Sequence, residues 1–152
     1  MKRLLVLMLT VCITIGMVTP DTVMGATTST EVTYLEDGTY VTTEVTTFYN
    51  ARSSEVSGYK EFCYYEYEGG PKLWKITLYG TFSYDGSTSW CTSASHRISL
   101  YVGYVTITDV NSYPYEDCAL FDGYYERYTN GVLTSRDYIH LYLACDENGN
   151  LY

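Results

Sequence analysis

The stretch Leu73–Tyr84 restricts the fold more than any other part of this chain. Trp74, Ile76, Leu78, Gly80 and Phe82 recur at every second position, and Lys75, Thr77, Tyr79, Thr81 and Ser83 fill the gaps. A period of two places the first set on one face of an extended strand and the second on the other, so one side packs while the other stays wet. No apolar stripe of helical period follows residue 27. The remaining runs are short, rich in Val, Ile, Thr and Tyr, and separated by Gly and Asp, which is the signature of strands joined by turns.

Read in order, Glu36-Asp37-Gly38 is a turn into a strand over Tyr40–Phe48, and Asn50–Gly58 is a polar loop. Phe62–Tyr67 is the next strand, closed by Gly69-Gly70-Pro71, and Asp85-Gly86 turns the chain after Tyr84. Arg97–Thr108 is a further strand region with room to bend or bulge at Gly103. A hairpin follows: Ala119–Tyr128, the turn Thr129-Asn130-Gly131, and Ser135–Cys145 returning. On the return strand Ile139, Leu141, Leu143 and Cys145 face one way, and Tyr138, His140 and Tyr142 the other. About six or seven strands with turn signals every 8–12 residues predict an all-β fold, a small antiparallel β-sandwich of immunoglobulin-like type. A small closed β-barrel is the alternative.

The start of the chain has a different character. Met1-Lys2-Arg3 precedes an apolar run, and small residues stand at Gly25-Ala26. Those are the three parts of a cleavable secretory signal, here residues 1–26. Cys12, Thr14 and Gly16 interrupt the run and Pro20-Asp21 ends it, short of the roughly 20 apolar residues of a membrane span. Residues 27–33 read as a loose Thr-rich leader and 34–152 as a single domain. Cleavage removes Lys2, Arg3 and Asp21, turning 9 basic and 18 acidic residues into 7 and 17. That balance argues against nucleic acid and against an anionic membrane surface after cleavage, since both need a basic footprint. The expected location is outside the cell or on the exterior of its envelope.

Four cysteines follow the leader, Cys63, Cys91, Cys118 and Cys145. An even count in a small exported chain reads as two disulfides, and no two of the four stand at the close spacing of a structural zinc site. Cys145 falls on the apolar face of its strand and Cys91 follows Leu73–Tyr84 through one turn. That phase suggests Cys91 with Cys145 and Cys63 with Cys118, out of three possible connectivities. A bridge closing a loop of roughly 55 residues would contribute about 4 kcal/mol on its own.

Several phrases together resemble a family of uncharacterised small secreted proteins, a domain of unknown function, from Gram-positive bacteria of the Firmicutes and Clostridia type. They are Tyr34-Leu35-Glu36-Asp37-Gly38, Leu73-Trp74-Lys75-Ile76-Thr77-Leu78 and Gly80-Thr81-Phe82-Ser83-Tyr84-Asp85-Gly86-Ser87, which runs into Cys91-Thr92-Ser93-Ala94-Ser95-His96. Arg127-Tyr128 and the closing Leu141-Tyr142-Leu143-Ala144-Cys145-Asp146-Glu147-Asn148-Gly149-Asn150-Leu151 complete the set. The resemblance implies an exported β-rich domain with a Cys91–Cys145 bridge, and it brings no activity with it. Cys63, Cys118 and the aromatic, acidic stretch Tyr113–Tyr125 depart from the family pattern.

Catalytic signals are thin. No Gly-x-Ser-x-Gly elbow exists, and paired cysteines supply no thiolate. Ser93 and Ser95 lie near His96 without an evident acid, and His96 and His140 read as ordinary exposed strand residues. Asp146-x-Asn148-x-Asn150 has the alternating oxygens of a calcium loop, but Leu151 replaces its turning Gly, so a terminal turn is expected. Neither a metal nor another cofactor is expected. Glu66 and Glu126, each flanked by Tyr, are the only carboxylates worth testing as a glycosidase pair.

Tyrosine is the abundant feature, with 19 residues, all after position 33. Tyr suits strands and packs well, but exposed Tyr also offers contact area at low entropic cost. Tyr79, Tyr138 and Tyr142, on strand faces opposite the apolar ones, are the candidate binding residues. The expectation is therefore a secreted, non-enzymatic β domain that recognises an extracellular polysaccharide or a surface protein. A diffusible antagonism or toxin-like factor is the alternative, and a small glycoside hydrolase stands behind it.

Overall fold

The computed structural model describes residues 24–34, 40–50 and 54–152. Most of the expected secretory signal and the Glu36-Asp37-Gly38 turn lie outside the described residues. Eight strands follow one another: β1 (Met24–Tyr34), β2 (Tyr40–Asn50), β3 (Glu55–Tyr65), β4 (Lys72–Tyr84), β5 (Ser89–Leu100), β6 (Val105–Tyr115), β7 (Cys118–Thr129) and β8 (Val132–Ala144). They form two antiparallel sheets, ordered β1-β2-β3-β4-β5 and β6-β7-β8. The sheets pack face to face as a sandwich and do not close into a barrel. Each is a meander in which sequence neighbours are also hydrogen-bonded neighbours, a simpler wiring than the Greek keys of an immunoglobulin domain.

The alternation in β4 does what its period requires. Trp74, Ile76, Leu78 and Phe82 are at most 4 % exposed and pack with Phe121, Ile139 and Leu143 of the smaller sheet. Gly58 on β3 and Gly80 on β4 lie directly opposite each other. A methyl group on Gly80 would sit 2.5 Å from the Phe82 ring and 3.2 Å from Ala119 Cβ. The two glycines thus leave a trough that the Phe82 ring and the Leu151 side chain occupy. At the other end of the sheet Trp74 stacks on Tyr64 at 5.2 Å, with Tyr125 tilted against both.

Several boundaries differ from the sequence reading. The Thr-rich stretch 27–33, expected as loose, lies within β1, whose backbone pairs with β2 from Met24 to Tyr34. Gly58, expected in a loop, lies inside β3, which begins at Glu55. Arg97–Thr108, expected as one strand region, is cut by the turn Tyr101–Tyr104, and this cut carries the chain from one sheet to the other. Tyr101 N–H donates to Leu73 O at 3.0 Å and Tyr128 N–H to Tyr104 O at 2.8 Å, pinning the crossing to both sheets.

The expected disulfides are absent: Cys63, Cys91, Cys118 and Cys145 are all free thiols. Cys63 pairs across the sheet with Lys75, on the outer face of β3, away from Cys118 in the other sheet. Cys91 and Cys145 do share one end of the sandwich, yet each thiol donates to a nearby carbonyl, Ser93 O at 3.2 Å and Asp146 O at 3.4 Å. Burial pushes the Cys91 and Cys118 thiols up to about 11 and Cys145 to about 12, so none of these three is a thiolate near neutral pH.

The trough predicts the response to one added methyl group. Gly80→Ala should cost about 1–3 kcal/mol by overpacking against a fully buried ring. Gly103→Ala, whose Cβ meets nothing within 4 Å, should stay within about 0.5 kcal/mol of the parent. Urea unfolding followed by tyrosine and tryptophan fluorescence checks both, and equal midpoints would refute the packing account.

Candidate functional site

The outer face of β6-β7-β8 gathers a connected cluster of polar and aromatic side chains. Along β7, Ala119, Phe121, Gly123 and Tyr125 are buried inward, which leaves Asp122, Tyr124 and Glu126 on the outside. Along β8, Ile139, Leu141 and Leu143 face the core, and Tyr138, His140 and Tyr142 face out. Asp122 lies opposite His140, and Tyr124 opposite Tyr138.

Two one-residue bulges make that alignment possible. An unbroken register from the Thr129↔Val132 pair would set Asp122 against Ile139 and turn an apolar side chain outward. The register instead shifts between Arg127 and Tyr128, so that Arg127 pairs with Ser135 while Tyr128 pairs with Leu133. Thr134 is the extra residue, and its hydroxyl donates to Arg127 O at 3.0 Å. In β6 a second shift between Thr108 and Asn111 accommodates Asp109, whose φ is 51°. It brings Tyr113 to the face that carries Asp122.

Asp122 is the centre of the cluster. Its carboxylate accepts hydrogen bonds from Tyr113 Oη at 2.7 Å, from His140 Nδ1 at 2.7 Å and from the Tyr138 hydroxyl. Burial alone would raise this carboxyl, but the bonds from His140, Tyr138 and Tyr113 outweigh it and hold the group below the usual carboxylate range. The same bond pushes the Tyr138 phenol up to about 12 and raises the Tyr113 phenol. An ionised carboxylate only accepts, so His140 Nδ1 carries the shared hydrogen.

Beside this centre, Arg136 ties three elements together. It pairs with Asp109 at the β6 bulge, with Glu126 on β7 at 3.3 Å, and lies 4.2 Å over the Tyr124 ring. Tyr138 sits between Tyr124, 5.5 Å away, and His140, 6.3 Å away with ring planes 19° apart. Tyr142 continues the row, with the Lys60 ammonium 4.7 Å over its ring.

The three tyrosines singled out from sequence do not converge. Tyr138 and Tyr142 share this face, whereas Tyr79 lies on the outer face of the five-stranded sheet, tilted against Tyr59 at 5.8 Å and opposite Ser95. Asp122, Tyr113, Tyr124 and Arg136 were not legible as site residues, and His140 was expected to be an ordinary exposed residue. His96, expected as exposed, is half-buried, bonded to Ser112 Oγ at 2.9 Å and edge-on to Phe121.

The paired-carboxylate reading finds no geometry. Glu66 accepts from Tyr104 at 3.2 Å and pairs with Arg127 at 3.4 Å, while Glu126 lies on the opposite face of β7 and accepts from Tyr128 at 2.8 Å. At the C-terminal turn, Asp146 Oδ1 accepts from the backbone of Asn148 and Asn150 at 2.9 and 2.8 Å, so that carboxylate caps its own turn. The groove beside it, about 400 Å³, is shallow and bordered by Glu116, Asp117 and Glu147. No protein-family model matches the chain, and neither a curated protein nor a solved structure is significantly similar to it.

The cluster makes an acid-side and an alkali-side prediction. Because the Asp122 carboxyl is depressed on folding, its contribution is complete above the unfolded-state value of about 3.9 and is lost as pH falls through the lower folded value. The stability difference between the parent and Asp122→Asn should therefore shrink as the pH falls below about 4. In the same variant the Tyr138 phenol should fall from about 12 toward the ordinary value of about 10. Phenolate absorbance read against a Tyr138→Phe baseline reports it. A Tyr138 titration unchanged by Asp122→Asn would remove Asp122 from the centre of the cluster.

Proposed function

We propose that this chain is an exported recognition domain that binds a partner outside the cell through the outer face of β6-β7-β8. One observation carries the reading: Tyr138 and Tyr142 are 60 % and 47 % exposed on one strand, beside an Asp122 that holds the Tyr138 hydroxyl. A large ring held in place before contact gives up little entropy on binding. The basic-apolar leader, the acidity and the resemblance to small secreted proteins of Gram-positive bacteria support an extracellular role.

The outer face of the five-stranded sheet is the weaker candidate. Tyr79 is 38 % exposed, less than Tyr138 or Tyr142, and its cross-strand neighbours are Tyr59 and Ser95. Among the described residues no carboxylate holds its hydroxyl as Asp122 holds that of Tyr138. A glycoside hydrolase is disfavoured by the separation of Glu66 from Glu126 across β7.

The test is depletion from solution by insoluble Gram-positive cell wall, by immobilised mucin and by insoluble polysaccharides. Depletion by at least one is expected, and Tyr138→Ala and Tyr142→Ala should each weaken it about tenfold or more, the scale of losing a central aromatic anchor. Tyr79→Ala should leave it unchanged. Sensitivity to Tyr79 alone would move the function to the other sheet.

A further inference from the structure

The outer face of β6-β7-β8 shows an uneven balance of donors, acceptors and charges. Three donor hydrogens, on Tyr113 Oη, Tyr138 Oη and His140 Nδ1, all turn inward onto Asp122. What those side chains present outward is the acceptor capacity of two phenol oxygens and, in the neutral imidazole, of His140 Nε2. The charges are equally committed. Arg136 is taken up by Asp109 and Glu126, and Asp122 by its three donors. Lys60 lies over the Tyr142 and Phe62 rings and faces Glu31.

Resting on the recognition reading above, we infer that the ligand of this face is a neutral glycan chain. Its hydroxyls supply the donors that the phenol and imidazole acceptors lack. The C–H faces of its pyranose rings meet aromatic faces whose quadrupole is negative. Among the described residues the cations at this face are engaged already, Arg136 by Asp109 and Glu126 and Lys60 by two aromatic rings, and an anionic polymer meets a chain of net charge −9. Among the described residues the carboxylates of this face, Asp109, Asp122 and Glu126, are already partnered, which leaves a basic peptide little to bind. Tyr138 and Tyr142 stand four residues apart on one strand, about 14 Å, longer than one sugar ring, so the site takes an oligosaccharide in preference to a monosaccharide.

The purified protein is tested by affinity electrophoresis through gels containing neutral glucan, neutral xylan, polygalacturonate or poly-lysine. Retardation by a neutral glycan is expected, with competition by its oligosaccharides and none by its monosaccharide. Tyr138→Phe, which keeps the ring and removes one acceptor, should weaken binding about 2- to 12-fold, the range of one hydrogen bond. Tyr138→Ala and Tyr142→Ala should weaken it further, with folding checked by unchanged far-ultraviolet circular dichroism.

Retardation only by polygalacturonate or only by poly-lysine, lost in Tyr138→Ala, overturns the neutral-glycan inference and leaves the binding face standing. Retardation by a neutral glycan that is indifferent to both alanine variants overturns the face itself. No retardation in any gel overturns the glycan inference.

Discussion

Everything else in this molecule hangs on the apolar seam between β4 and the smaller sheet. Ile76, Leu78, Phe82, Phe121 and Leu143 are completely buried there, and each buried aliphatic or aromatic side chain is worth about 1.5–3 kcal/mol. The seam requires close approach, and the opposed Gly58 and Gly80 provide it by giving Phe82 somewhere to lie. With no disulfide among the described cysteines, the sheets are held by side-chain packing and by the short crossing between β5 and β6.

The seam also decides which chemistry can appear outside. A strand with Phe121 and Tyr125 inward has Asp122 and Tyr124 outward, because successive side chains point to opposite faces. Asp122 collects three donors from β6 and β8 because bulges at Asp109 and Thr134 keep apolar residues inward while bringing polar ones into line. An insertion that elsewhere would only disrupt a ladder here selects the neighbours of a carboxylate.

This explains what was legible in the sequence. The alternation of Leu73–Tyr84 and the turn Thr129-Asn130-Gly131 are local signals, and both elements form as read, with Asn130 at φ 52° and Gly131 at φ 77°. The outward direction of Tyr138 and Tyr142 is also local, since each strand's own alternation determines it. The start of β5 at Ser89 was not read, since its Ser, Thr, Ala and Cys carry little apolar contrast, although the segment around His96 read as strand. Asp122 was missed for another reason. Its partners depend on cross-strand register, and a bulge changes register without changing either strand's own pattern. The two disulfides failed similarly: an even count says nothing about which face each cysteine occupies, and Cys63 occupies the outer one.

The unequal sheets have a consequence for how the protein comes apart. Contacts between the layers run mainly through β4 and β5, with Tyr64 and Lys60 of β3 reaching Tyr125 and Tyr142, so β1 and β2 extend the larger sheet beyond much of its cover. β1 is an edge strand, hydrogen-bonded to β2 alone. Such a pair can detach while the seam stays closed, since local openings cost less free energy than global unfolding. Amide hydrogens in β1 and β2 would then exchange with solvent deuterium ahead of those in β4 and β7. On this topology the margin of the larger sheet would open first, and the tyrosine-bearing face of β6-β7-β8 would stay with the slower-opening body.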